Sequence, residues 1–270
     1  MWRSGNFTWN LIPKGRNRLS EKVTLQCNIQ TTIRSNSIGS NLIGLWSRLR
    51  TILQTEKHMD DRTANLDCIS DEAALRGLYQ RPMELALLKQ LDRLDPHCRN
   101  FLAHSPFCVI ASTRPGKGTD VSPRGDAPGF ARVLDDYTIA IPDRPGNNRL
   151  DTMSNIVADA DVGLLFFIPG IDETLRINGA ARLSHDPELL AAAAVNGREP
   201  RLVILVTVKE AFLHCGKALK RSKLWHDDYR VDKKDFPSLG RMIVEQTKPA
   251  NVTVEQADTV VEEGYRNNLY

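Results

Sequence analysis

From Glu173 to Ser184 the chain alternates without a break. Leu175, Ile177, Gly179, Ala181 and Leu183 fall on one side, and Thr174, Arg176, Asn178 and Arg182 on the other. A period of two sustained over that length marks a β-strand with one buried face and one polar face. Such a strand needs neighbouring strands to pair with. The neighbours are legible. Pro106 to Thr113, Thr138 to Pro142, Val162 to Ile168 and Leu202 to Leu213 are short runs rich in Val, Ile, Thr and Phe, several bounded by Gly, Pro or Asp.

Helical patterns are peripheral to these strands. Ser70 with Asp71-Glu72 offers a helix start, and leucines at 75, 78, 85, 88, 91 and 94 continue at helical spacing as far as Asp95-Pro96, divided at Pro82. Asn148 to Asp159 predicts a helix with Leu150, Met153 and Val157 on one face, and Asp186-Pro187-Glu188 opens another. Pro237 to Gln246 and Val254 to Tyr265 read as closing helices. Many strands, few helices and no regular βαβ alternation predict a mainly β (α+β) protein, a barrel with helices around it.

Charge divides the chain unevenly. Residues 1–58 hold nine Lys/Arg against Glu21 and Glu56, which leaves the rest mildly acidic although the whole carries +3. The expected organisation is a basic, Ser/Thr/Asn-rich extension over 1–58, N-terminal helices over 59–104, a barrel over 105–228 and C-terminal helices packing on it over 229–270. The extension has the composition of a transit peptide, but the abrupt change at Met59 favours a start there. An acidic body gives no support for nucleic-acid binding. No apolar run approaches the ~20 residues of a membrane-spanning helix. Five cysteines without close spacing fit a reducing, cytoplasmic setting, and six histidines without ligand spacing predict no metal site.

Three segments concentrate cations beside predicted strands. Val121 to Asp126 carries Ser122 and Arg124; Ile141 to Asp151 carries Pro142, Arg144, Asn148 and Arg149 and runs straight into a helix. A helix N-terminus offers unpaired N–H groups, and an Arg beside it adds a fork of donors, which together suit a phosphate. The blander reading has Asn148 capping that helix and Arg149 solvated. The third segment, His214 to Trp225, places Lys217, Lys220, Arg221 and Lys223 just ahead of Trp225. It reads either as a solvated basic helix or as cations facing an anion, with Trp225 packed on a planar ring. Gly116-Lys117-Gly118-Thr119 lacks the spacing of a P-loop, and no Gly-x-Ser-x-Gly or His-Glu-x-x-His occurs.

Taken together, Ser105-Pro106-Phe107, Asp120 to Asp126, Ile141 to Thr152, Val162 to Phe166, Glu173 to Gly179 and Cys215 to Trp225 resemble the pyridoxamine 5′-phosphate oxidase-like superfamily of FMN-binding split barrels, in an uncharacterised bacterial FMN-binding branch. The likeness runs from about Met59 to Tyr270. It implies a six-stranded antiparallel split barrel that dimerises with itself and holds FMN in clefts between the subunits. On this resemblance the FMN-binding residues are Ser122, Arg124, Ile141, Pro142, Arg144, Asn148, Arg149, Thr174, Arg221 and Trp225. Arg149 matches the cation on the FMN phosphate; Ser122 and Arg124 line the flavin; Ile141 and Pro142 lie beside the ring; Thr174 stands where relatives have a flavin-contacting amide. Arg221 and Trp225 approach the cofactor from the C-terminal side. No protein acid or base is implicated as catalytic.

The implied activity is FMN-dependent oxidation–reduction of a small molecule, with hydride or electrons passing through flavin N5 and NAD(P)H as a candidate donor. The alternatives are a non-catalytic flavin store or sensor, or a relative using a deazaflavin such as F420. The Arg-x-His triplet with which pyridoxamine phosphate oxidases hold substrate does not occur, which argues against that substrate.

Overall fold

A computed structural model describes residues 66–270; the basic extension over 1–58 and the change at Met59 lie outside the described residues. The chain divides into two units at Gln80/Arg81. The described part of the first holds one short helix, α1 (Glu72–Gly77), whose first turn is capped by Asp71 accepting from the Ala74 N–H at 2.8 Å.

In the second unit the helices are α2 (Glu84–Leu88), α3 (Pro96–His104), α4 (Asp151–Ala158), α5 (Pro187–Ala192), α6 (Lys217–Ser222), α7 (Leu239–Thr247) and α8 (Val254–Asn267). The strands are β1 (Phe107–Arg114), β2 (Gly118–Gly125), β3 (Arg132–Val133), β4 (Thr138–Pro142), β5 (Asp161–Ile168), β6 (Ile171–Ser184) and β7 (Val203–His214). All pair antiparallel in one sheet of order β2-β1-β5-β6-β7-β4-β3.

The alternation in β6 is realised: Leu175, Ile177, Gly179 and Ala181 are buried, joined by Ile110 of β1, Leu164 and Phe166 of β5, and Ile204 and Val206 of β7. Leu94, Phe101 and Leu102 plug this core from the side of α3, and Ile156 from α4. The β6–β7 register slips where Asn178 faces Glu210 but Gly179 faces Val208, leaving Lys209 as the extra residue of a bulge. Gly179 lies so close to β7 that a Cβ there would sit 2.2 Å from the Thr207 carbonyl oxygen. Backbone cannot yield as a side-chain tip can. Gly179→Ala is therefore expected to lower stability by about 1–3 kcal/mol, read as a drop in the urea midpoint at unchanged slope.

Three features depart from the sequence expectation. The leucine pattern over 75–94 yields two short helices whose Leu75, Leu78, Leu85 and Leu88 are exposed; only Leu94 enters the core. Asp95-Pro96, read as a helix end, instead opens α3, with Pro96 in its first turn and Asp95 accepting from the Cys98 N–H at 2.8 Å. The expected six-stranded barrel is a seven-stranded sheet whose outer strands, β2 and β3, are not paired with each other. Six strands run five residues or more, and the seventh is the two-residue β3 added beyond β4. The C-terminal helices α7 and α8 pack on one another, and Ser238, the α7 cap, also donates to Asp258 of α8 at 2.8 Å.

Candidate functional site at the seam between β2 and β4

β2 turns Asp120, Ser122 and Arg124 toward the half-buried side, opposite Ser112, Ile110 and Cys108 of β1. Helix α4 lies across them. Thr152 donates to Asp120 at 3.1 Å, Asn155 donates to Ser112 at 3.1 Å, and Met153 meets the Arg124 guanidinium at 3.7 Å.

Two crossed ion pairs join the end of β2 to the segment after β4. Arg124 Nη1 reaches Asp143 at 3.1 Å, and Arg144 Nε reaches Asp126. These carry the contact between the two ends of the sheet where backbone pairing is absent. Asp126, only 3% exposed at its side chain, also accepts from the Ala127 N–H and the Tyr270 hydroxyl, both at 2.7 Å. Tyr270 stacks beside Arg144, whose guanidinium carbon lies 5.5 Å from the ring centre. Burial raises the Asp126 pKa, but the donors from Tyr270, Ala127 and Arg144 outweigh it and hold the carboxyl below its usual range. At Asp143 burial prevails over Arg124 and Arg201 and raises the pKa. Arg124 Nε is buried without a hydrogen-bond partner.

The turn between Arg144 and α4 is built from left-handed residues. Asn148 (φ 57°) and Leu150 (φ 58°) both adopt that conformation, and Asn147 Oδ1 accepts from the Arg149 N–H at 3.1 Å. Asn148 does not cap α4. The capping position is Leu150, whose side chain cannot accept a hydrogen bond, so the first turn of α4 has no side-chain cap. Arg149 stands there, its side chain 72% exposed, paired to Asp151 through Nε at 2.8 Å. That pairing strengthens the hold on its proton, Asp151 acting first by hydrogen bond and then by charge. A pair this exposed is held weakly and can be exchanged for another anion.

The remaining sequence candidates lie elsewhere. Ile141 is fully buried in the core, and Pro142 is buried beside it on β4. Thr174 is 4% exposed and faces His214 across β6–β7. Arg221 is exposed at the end of α6. Trp225 donates its indole N–H to the Ile171 carbonyl at 2.9 Å, and Lys220 pairs with Asp172 at 2.7 Å. The basic patch thus clasps the start of β6. Among the described residues no hydrogen bond or ion pair joins it to the β2–β4 seam or to Arg149.

Asp126, Asp143 and Tyr270 are seam participants absent from the residues that the sequence nominated. Arg124-x-Asp126 and Asp143-Arg144 carry complementary charges in opposite order, a signal for the crossed pairs; nothing local marks Tyr270. Among the described residues no group of three or more His, Cys, Asp or Glu is placed to hold a metal. Nor is any helix among them long and apolar enough to cross a membrane. Cys98 and Cys108 are free and buried, and burial pushes both thiols up to about 12.

The family described as pyridoxamine 5′-phosphate oxidase matches residues 94–215. Curated proteins gave no match to the sequence. Among solved structures, the chain is similar to HupZ of Group A Streptococcus at 15% identity, covering 44% of this chain and 92% of that one, with a TM-score of 0.37. An FAD binding protein from Mycobacterium smegmatis is 16% identical, with 46% and 97% covered and a TM-score of 0.34. General stress protein 26 from Bacillus anthracis is 12% identical, with 42% and 88% covered and a TM-score of 0.33. The resemblance carried by the Ser-Pro-Arg-Gly-Asp and Arg-Pro-Gly-Asn-Asn-Arg motifs is borne out by that match: residues 94–215 fit the family described as pyridoxamine 5′-phosphate oxidase.

Proposed function

We propose that the protein binds FMN and serves as an FMN-dependent oxidoreductase, with the flavin phosphate seated at the turn between Arg144 and α4. The observation that carries the reading is Arg149 at a helix start that no side chain caps. Uncapped peptide N–H groups and the neighbouring guanidinium would together supply the donor set that a phosphate dianion requires. Arg149 can exchange its exposed pair with Asp151 for that stronger anion.

The fit differs from residue to residue. Arg124 and Arg144 are committed to Asp143 and Asp126, so their first role is to close the seam and hold the phosphate-binding turn in place. Ser122 and the β2 backbone offer the wall beside α4, while Ile141 and Pro142 lie buried on β4 just ahead of Asp143. Thr174, Arg221 and Trp225 sit on β6 or against its start, away from these contacts, which supports a site completed by a second copy of the chain. When bound, the flavin supplies hydride or electron transfer, and the chain's residues bind, orient and exclude water.

Arg149→Ala is expected to weaken FMN binding by about 1.5–3 kcal/mol, the scale of a charge-assisted hydrogen bond, while leaving thermal stability unchanged. Fluorescence titration of both proteins reads the difference. Equal affinities would remove Arg149 from the site.

A further inference from the structure

A second cluster of cations lies on the outer side of β6 and β7, and the flavin reading does not use it. Its floor is Phe212, with the Arg176 guanidinium carbon 4.2 Å from the ring centre, Lys89 Nζ at 5.6 Å and the His214 ring at 4.8 Å. The placement is built in. Leu91 and Ala211 exchange backbone hydrogen bonds of 3.0 and 2.8 Å, which ties the segment after α2 to β7, and Lys89 donates to the Leu213 carbonyl at 2.7 Å. Arg176 faces Phe212 directly in the β6–β7 register.

The nearby acid is already occupied. Glu210 accepts from Arg176 Nη2 and Asn178 Nδ2, each at 3.0 Å, and from Gln90. Around it remain two ammonium hydrogens of Lys89, the guanidinium N–H groups of Arg176 that Glu210 does not use, and the ring nitrogens of His214, with Arg176 Nε buried and unpartnered. Donors outnumber acceptors, and one unit of positive charge is left uncompensated. Burial, then Arg176, then Lys89 lower the His214 pKa, as expected where positive charge lacks a counter-ion.

We infer that Lys89, Arg176 and His214 form a binding site for an oxyanion, the carboxylate or phosphate of a small molecule, held over Phe212. The anion would accept from Lys89 and Arg176 as charge-assisted hydrogen bonds and favour protonation of His214. This site shares no residue with the turn before α4, and His214 meets the flavin proposal only where it faces Thr174 across β6–β7.

Imidazole proton signals of the full chain, followed through a pH titration, provide the test. Inorganic phosphate and benzoate are the probes, chloride at matched ionic strength is the control, and Arg149→Ala protein is measured in parallel so that phosphate captured before α4 is not counted. Saturable binding that raises the His214 midpoint is expected for at least one probe, phosphate or benzoate showing which oxyanion is preferred. Lys89→Gln should weaken it about tenfold or more, the loss of one charge-assisted hydrogen bond. Arg176→Lys tests the second cation, and the exposed Lys89 keeps the test valid if Arg176→Lys unfolds. Absence of saturable binding by both probes up to tens of millimolar overturns the proposal. So does binding that survives both Lys89→Gln and His214→Asn unchanged.

Discussion

Asp126→Ala is expected to destabilise the folded chain by about 3–5 kcal/mol, the range for breaking one partner of a buried ion pair. Three donors converge on that carboxylate: Arg144, the Tyr270 hydroxyl and the Ala127 N–H. Removing it strands the Arg144 guanidinium, 16% exposed, which cannot shed its proton at any accessible pH. The loss should therefore stay nearly constant from neutral to mildly acidic pH. Urea denaturation at two pH values reads it. A cost below 1 kcal/mol would mean that the seam is held by something other than this pair.

Arg124→Met is expected to cost a similar ~3–5 kcal/mol near neutral pH, but here the cost depends on acidity. Here the stranded group is Asp143, a carboxyl that can escape by taking up a proton. Burial already raises its pKa, and removing Arg124 removes a charge that opposes that rise. A carboxyl whose pKa is higher folded than unfolded binds more protons in the folded state, so stability falls as pH rises through the window between the two values. The variant should regain stability on acidification from neutrality through the raised pKa of Asp143. The wild-type pair should show less of this, because Arg124 favours the ionised form. A pH-independent deficit would place the cost of Arg124→Met in lost packing against Met153 rather than in the charge left behind.

The two variants expose what was legible in the sequence. Period-two alternation placed β6 and its buried face correctly, because burial on one side of a strand imposes that period whatever the fold. Thr138 to Pro142 and Val162 to Ile168 were found within a residue from another signal, short β-branched or apolar runs of strand length. β2 offered no such period: Asp120, Ser122 and Arg124 are polar on its half-buried side, so only the resemblance made it a strand. The helices before the sheet misled, since leucines at helical spacing over 75–88 remain exposed and carry no core.

Within the site, the turn before α4 was readable as a place for an anion, but not its mechanism. Asn148 looked like the cap, whereas two left-handed residues move the helix start to Asp151 and leave it uncapped. The commitment of Arg124 and Arg144 to acids is a matter of tertiary placement. Asp126 and Asp143 stand 17 positions apart along the chain and meet their partners only because β2 and the end of β4 close on each other. Tyr270 arrives from farther still, 144 residues from its acceptor.

The most direct test of a phosphorylated flavin at Arg149 compares FMN with riboflavin, which differ only in the phosphate, on wild-type and Arg149→Ala protein. The expected result is that FMN binds wild type tighter than riboflavin, and that most of this advantage disappears in Arg149→Ala while riboflavin affinity hardly changes. Wild-type protein that binds neither flavin, or binds both equally well, would contradict the assignment.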